Sequence, residues 1–290
     1  MSEVLQKLVS LLQLTEVGTD HFQGCSEDLG FKNVFGGQVL GQALMAAYRT
    51  VEGRLAHSMH GYFLRPGDHS LPIEYEVQRI RDGQSFVTRR VIARQKSQEI
   101  FTLLASFQAD EEGFEHQFDM PDAPDLEGLW SELDIRRKFQ HLIPEKVKEQ
   151  FTRDRPIEIR PVKPMNYLQP DVRLPFKQTW FRAVAELPED QALHHCILAY
   201  ASDFGLLGTS LHPHGVTFMQ KGMQVASLDH ALWFHRDFRV DEWLLYDMDS
   251  PSASHGRGFN RGNIYSRDGI LVASVCQEAL IRQRAASKKE

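Results

Sequence analysis

Apolar and polar positions alternate along several stretches of this chain. Ile73, Tyr75 and Val77 interleave with Glu74, Glu76 and Gln78, the pattern of a strand with one face buried. Arg81-Asp82-Gly83-Gln84-Ser85 reads as a turn, and residues 86–93 and 100–107 read as two further strands. A different period precedes them. Leu40, Ala43, Leu44 and Ala47 share one face of a helix predicted over 39–47, and its small residues would let a sheet approach closely. Val4 to Leu12 has helical apolar spacing as well. One helix against several antiparallel strands makes an α+β unit.

The plan then recurs. A helix is predicted over 193–204, with Ile197, Leu198 and Ala201 on one face, followed by strands over 225–234, 243–248, 258–265 and 270–279. Gly61-Tyr62-Phe63-Leu64-Arg65 and the later Ala105-Ser106-Phe107-Gln108 have counterparts in Ala231-Leu232-Trp233-Phe234-His235-Arg236 and Ala273-Ser274-Val275-Cys276-Gln277. Two such units could pair edge to edge in one sheet, which would protect strand edges. The expected division is a first unit over 1–115, an acidic connector and helix over 116–150, and a second unit over 151–290. From Asp110 to Asp134 there are ten carboxylates and no Lys or Arg, so a solvated crossing with little core is expected. A helix over 136–151 and a short strand at Ile157 and Ile159 come next. No G-x-G-x-x-G or Walker A sequence is present.

With 290 residues, 42% hydrophobic and 18 Phe, the chain can build a substantial core. A net charge of -6 argues against a general nucleic-acid binder. Cys25, Cys196 and Cys276 are far apart, which fits a reducing compartment and no CxxC site. No apolar run reaches the length of a membrane span, so no stable membrane insertion is expected. The N-terminal stretch lacks a signal-peptide cleavage pattern, and Ser287-Lys288-Lys289-Glu290 differs from the peroxisomal Ser-Lys-Leu address. A cytoplasmic protein is the simplest expectation.

Function is sought in what only one copy carries. Asp203 lies near the end of a small-residue helix, whereas the corresponding first helix, Gln38 to Tyr48, has no carboxylate. Asp203 could equally be a cap, Ser227 could satisfy a neighbouring carbonyl, and Gln277 could be an edge polar group. Both copies show a strand ending in Gln, at Gln108 and Gln277. His194-His195-Cys196 and His212-Pro213-His214 lack a partner set at zinc-site spacing, so no metal is expected.

Ser26-Glu27-Asp28-Leu29-Gly30, Val34-Phe35-Gly36-Gly37-Gln38-Val39-x-Gly41-Gln42-Ala43, Tyr62-Phe63-Leu64-Arg65-Pro66-Gly67-Asp68 and Asp229-His230-x-x-Trp233-Phe234-His235-Arg236 occur in order. Together they resemble bacterial acyl-CoA thioesterase II, the TesB family, over nearly the whole chain. The resemblance implies a double hotdog fold: two long helices, each wrapped by a curved antiparallel sheet. It implies acyl-CoA as substrate, no cofactor, and a homodimer or larger homo-oligomer. It also maps the family's catalytic Asp, Thr or Ser, and Gln onto Asp203, Ser227 and Gln277. Ser227 keeps the hydroxyl of the Thr found in some members and lacks its methyl.

Elementary chemistry supports the same trio independently. Thioester hydrolysis needs an activated water and a polarised carbonyl, while a thiol with a pKa of roughly 8.5 leaves without strong acid help. An aspartate is ordinarily ionised at neutral pH and can take a proton from water, and a hydroxyl and a carboxamide can orient that water. Gly36, Gly37 and Gln38 open a helix, where free N–H groups favour developing negative charge, though tight helix–sheet contact demands glycine too. His57 or His60 could line an acyl or pantetheine channel. Arg65, Arg89, Arg90, Arg257 and Arg261 could meet the phosphates of coenzyme A. Two other readings are an acyl-thioester hydratase or dehydratase, which would want a close Asp–His pair, and a non-catalytic acyl-CoA binding protein. Asp229 and His230 are adjacent, so their side chains should point to opposite strand faces.

Overall fold

The computed structural model describes residues 2–30, 33–167 and 169–284. Ser287 to Glu290, the stretch compared with a targeting address, lie outside the described residues. In chain order the first half contains α1 (Glu3–Leu12), β1 (Thr15–Gly18), β2 (His21–Gly24), α2 (Gly36–Tyr48), β3 (Leu55–Phe63), β4 (Ile73–Asp82), β5 (Phe86–Gln95) and β6 (Gln98–Gln108). Next come α3 (Glu132–Lys138), α4 (Glu145–Thr152), β7 (Ile157–Pro161), β8 (Phe176–Ala183) and α5 (Gln191–Ser202). The second half ends with β9 (Met223–Ser227), β10 (Asp229–Phe234), β11 (Leu244–Ser254), β12 (Arg257–Ser266) and β13 (Leu271–Gln283). The predicted helix over 136–151 is interrupted before Pro144, which cannot donate the backbone bond a continuous helix needs there.

All the strands join one antiparallel sheet in the order β1-β2-β4-β5-β6-β3-β10-β13-β12-β11-β8-β7, with β9 on β13. The two halves meet where Ser58 to Tyr62 of β3 lie opposite Trp233 to Asp229 of β10. Edge-to-edge pairing of the units is therefore realised, and it buries what would otherwise be two open edges.

On the inner face α2 and α5 lie against one another and against the sheet, and almost every residue of both is buried. Glycine permits the approach. A Cβ on Gly37 would lie 2.3 Å from the Tyr200 carbonyl oxygen, and one on Gly41 would lie 2.8 Å from that of Cys196. The amphipathic α1 packs Leu5, Leu8 and Leu12 over α2, each fully buried leucine contributing about 1.5–3 kcal/mol. This is the α+β double hotdog architecture: a central helix in each half, backed by a common sheet.

The acidic connector departs from its expected solvated state. Met120, Ala123, Leu126 and Leu129 pack with Trp180, Trp243, Leu245 and Tyr265 in a second, smaller apolar cluster. The Trp180 indole donates to the Pro124 carbonyl oxygen at 3.0 Å. The carboxylates conceal a few well-spaced apolar residues that cover the outer sheet face of the second half. Phe114 and Phe118 do remain exposed.

Two bulges set which side chains face the helices. Ala231 sits opposite Cys276 but Ser227 opposite Ala279, so one extra residue is inserted at Leu228. In the first half the β3–β6 register shifts in the same way at His57, between Ala56 and Ser58. A bulge changes which side chains share a face. The strand predicted over 225–234 is thus broken at Leu228, and Ser227 shares the inner face with His230 instead of the outer face with Asp229.

Candidate active site

Asp203 is the residue immediately after α5, and the N-terminus of α2 faces it. Its Oδ1 accepts from the Gln277 amide at 2.7 Å and from the Ser227 hydroxyl at 3.1 Å. Its Oδ2 accepts from the Gly37 backbone N–H at 2.9 Å. One carboxylate thus collects three donors from three elements more than twenty residues apart in sequence. The C-terminal end of α5 repels a negative charge here and the N-terminal end of α2 attracts one, each by about 0.3–1 kcal/mol. The direct Gly37 bond ties the carboxylate to the α2 end. A Cβ on Gly36 would lie 2.7 Å from Oδ2, so both glycines are required for the helix to reach the carboxylate.

Asp203 and Ser227 are partly exposed and Gln277 is fully buried, so the cluster has an open side and a rigid floor. Gln277 lies next to Asn260 of β12, which takes the Ser210 N–H and thereby ties down the segment after Asp203. Its carbonyl Oε1 is buried and has no partner among the described residues. Behind the carboxamide stands His230. Its Nδ1 is 3.0 Å from Gln277 Nε2, and its Nε2 is 2.9 Å from the Ser202 hydroxyl.

The second-half sequence 146–280 matches the family model described as acyl-CoA thioesterase, and 27–108 matches the acyl-CoA thioesterase N-terminal domain. The chain is 44% identical to acyl-CoA thioesterase 2 of Haemophilus influenzae, over 97% of this chain and 99% of that one. It superimposes on the crystal structure of acyl-CoA thioesterase II TesB2 from Mycobacterium marinum with a TM-score of 0.78 and 40% identity, covering 96% and 99% of the two chains. The chain belongs to the acyl-CoA thioesterase II (TesB) family. A hot dog fold protein from Alicyclobacillus acidocaldarius, 18% identical with a TM-score of 0.76 over 96% and 99% of the chains, shares the fold.

The other expected site residues of this thioesterase II chain are placed elsewhere. Gln38 is fully buried, accepting from Glu27 N–H and donating to the Cys25 carbonyl oxygen. It is a strut under the 25–27 segment, a correction to its expected role at the substrate. His57 sits at the β3 bulge, 2.8 Å from the Ser106 hydroxyl and edge-on to Phe86. His60 is on the outer face against Trp233. Arg257 and Arg261 are also on that face, paired with Glu278 and Asp249. Neither the two histidines nor these two arginines join the Asp203 cluster. Arg89 is 2% exposed and bonded to Thr50 and to the exposed Asp82, so the expected phosphate contact is corrected to a buried guanidinium paired with a surface carboxylate.

The first half lacks the matching groups. Counting from the two bulges, Ala56 takes the place of Ser227 and Met59 that of His230. Ala105, paired with Arg89, takes the place of Gln277, which is paired with Asn260. All three substitutes are apolar and buried. Gln108 is not the equivalent of Gln277: it faces out and donates to Glu111. The end of α2 is closed by Tyr48, whose hydroxyl takes the Ala56 N–H and meets His195 Nδ1 at 2.7 Å.

Burial lowers six of the histidines, His57, His194, His195, His212, His230 and His235, and two of them most. It lowers His195 to about 3 and His230 to about 4, from an ordinary 6.5, the Asp203 charge partly opposing the shift at His230. The unfolded chain therefore binds more protons than the folded one below about pH 6.5, and stability falls as pH drops toward 4. Between pH 7 and 5 the two rings together remove on the order of 3 kcal/mol. Urea midpoints at the two pH values should show this loss; an equal or higher midpoint at pH 5 would contradict it.

Proposed function

We propose that this chain hydrolyses fatty acyl-CoA to free fatty acid and coenzyme A by direct attack of a water held by Asp203, Ser227 and Gln277. The observation that carries the reading is the convergence of Ser227, Gln277 and the α2 N-terminus on one partly exposed carboxylate. Asp203 takes the water's proton as the oxygen attacks the thioester carbon. Ser227 and Gln277 fix the carboxylate that holds the water, donating to its Oδ1 at 3.1 and 2.7 Å. The thiolate departs with little acid help, and no acyl-enzyme forms.

The first half, with Ala56, Met59 and Ala105 at the matching positions, supports one water-activating site per chain. Self-association into a homodimer or larger homo-oligomer and residence in the cytoplasm belong to the same reading. Tyr62 and Leu104, exposed on the outer sheet face, favour association there. No helix among the described residues is long and apolar enough to cross a membrane.

The reading is tested by incubating the protein with acyl-CoAs of graded chain length while following free thiol and free acid. Equimolar thiol and acid are expected. An altered acyl chain without thiol would replace the reading by a hydratase, and tight binding without turnover by a binding protein.

A further inference from the structure

His230 is fully buried, three residues past the Ser227 that the bulge positions, and the hydrolytic step makes no use of it. Its hydrogen bonds have only one consistent direction. The Ser202 hydroxyl spends its single proton on the Ala199 carbonyl oxygen at 3.0 Å, so toward His230 it must accept. The His230 Nε2 therefore carries the hydrogen, and a neutral ring then presents a lone pair at Nδ1. That lone pair faces Gln277 Nε2, whose two N–H groups divide between His230 and Asp203. Turning the carboxamide over would set its oxygen against the Asp203 carboxylate and the ring lone pair together. Burial of the ring also keeps it neutral.

We propose that His230 is a positioning residue for hydrolysis: through Ser202 it anchors to the α5 backbone and locks the Gln277 carboxamide with its amide toward Asp203. The proposal rests on the reading of Asp203 and Gln277 as the water-holding groups. The first half agrees with it, since Met59 stands at the matching place and Ala105 opposite leaves no carboxamide to orient.

The test is a double-mutant cycle on thiol release from a long-chain fatty acyl-CoA, using His230→Leu, His230→Asn, Gln277→Ala and the His230→Leu/Gln277→Ala pair. Loss of the lock in His230→Leu should lower kcat by about 30–100-fold while KM stays within about 3-fold. His230→Asn, whose Oδ1 can still accept from Gln277, should recover to within about 10-fold of wild type. In the pair, removing His230 should cost no more than about 2-fold beyond Gln277→Ala alone, because both changes remove the same function. Multiplying losses, or His230→Asn no better than His230→Leu, would overturn the proposal while leaving the catalytic reading intact. Wild-type turnover by Gln277→Ala would remove the catalytic reading of Gln277 and this proposal with it. If His230→Leu does not fold, the same cycle with His230→Asn decides, non-additivity with Gln277→Ala being the supporting result.

Discussion

Asp203→Asn should lower kcat for thioester hydrolysis by about a thousandfold, within the roughly 10²–10⁴ range that a positioned general base contributes. Asparagine keeps the shape and can still accept a hydrogen bond, but it cannot take the water's proton. The fold should survive, because Asp203 is partly exposed and lies at the surface of the core, outside it. KM should change little, since the carboxylate acts on the water and makes no demand on the coenzyme A moiety. The measurement is thiol release by the variant alongside its circular dichroism and melting temperature. Turnover within about tenfold of wild type, in a folded protein, would remove Asp203 from the mechanism.

Gly37→Ala should lower stability and activity together, by a different route. The added methyl would lie 2.3 Å from the Tyr200 carbonyl oxygen and 2.5 Å from the Phe35 ring, and the first of these is backbone that cannot swing aside. Overpacking of this kind costs about 1–3 kcal/mol, which for a chain of this size lowers Tm by roughly 2–5 °C. Relief requires α2 to move away from α5, and that movement draws the Gly37 N–H off Asp203. Activity measured well below the new Tm should therefore also fall, by about tenfold or more. An unchanged Tm would show that the two helices are less closely engaged than the short Gly37–Tyr200 approach requires.

Much of the scaffold was legible from the chain. The alternation at Ile73, Tyr75 and Val77 marks β4, and the small-residue helices over 39–47 and 193–204 are α2 and α5. What escaped depended on pairing between distant segments. In β8 the inward positions include Lys177 and Thr179, while outward Trp180 is covered by the connector, so the strand shows no clean alternation. The bulges at His57 and Leu228 are visible only in the register with the neighbouring strands. For that reason the shared Ala-Ser of 105–106 and 273–274 misaligns the copies. It sets Gln108 one residue short of the counterpart of Gln277, whereas pairing puts Ala105 there and turns Gln108 outward.

The candidate site divides in the same way. Asp203 stands out as a carboxylate on a small-residue helix, but Ser227 and Gln277 each have an ordinary alternative unless the family motifs are weighed with them. Ser202 and His230 carry no local mark of their role, because what distinguishes His230 is contact with groups 28 and 47 residues away. Gly36 and Gly37 could be read as an oxyanion site or as tight packing. Their geometry joins packing to a bond with the Asp203 carboxylate itself.

The central claim is that water attacks the thioester directly, and rapid-quench kinetics of the wild-type protein with excess long-chain acyl-CoA test it most directly. Thiol and free acid should appear together from the first turnover, with no acyl mass on the intact protein. A burst of thiol equal to the enzyme concentration, ahead of the acid and accompanied by an acyl adduct on Ser227 or Asp203, would contradict it.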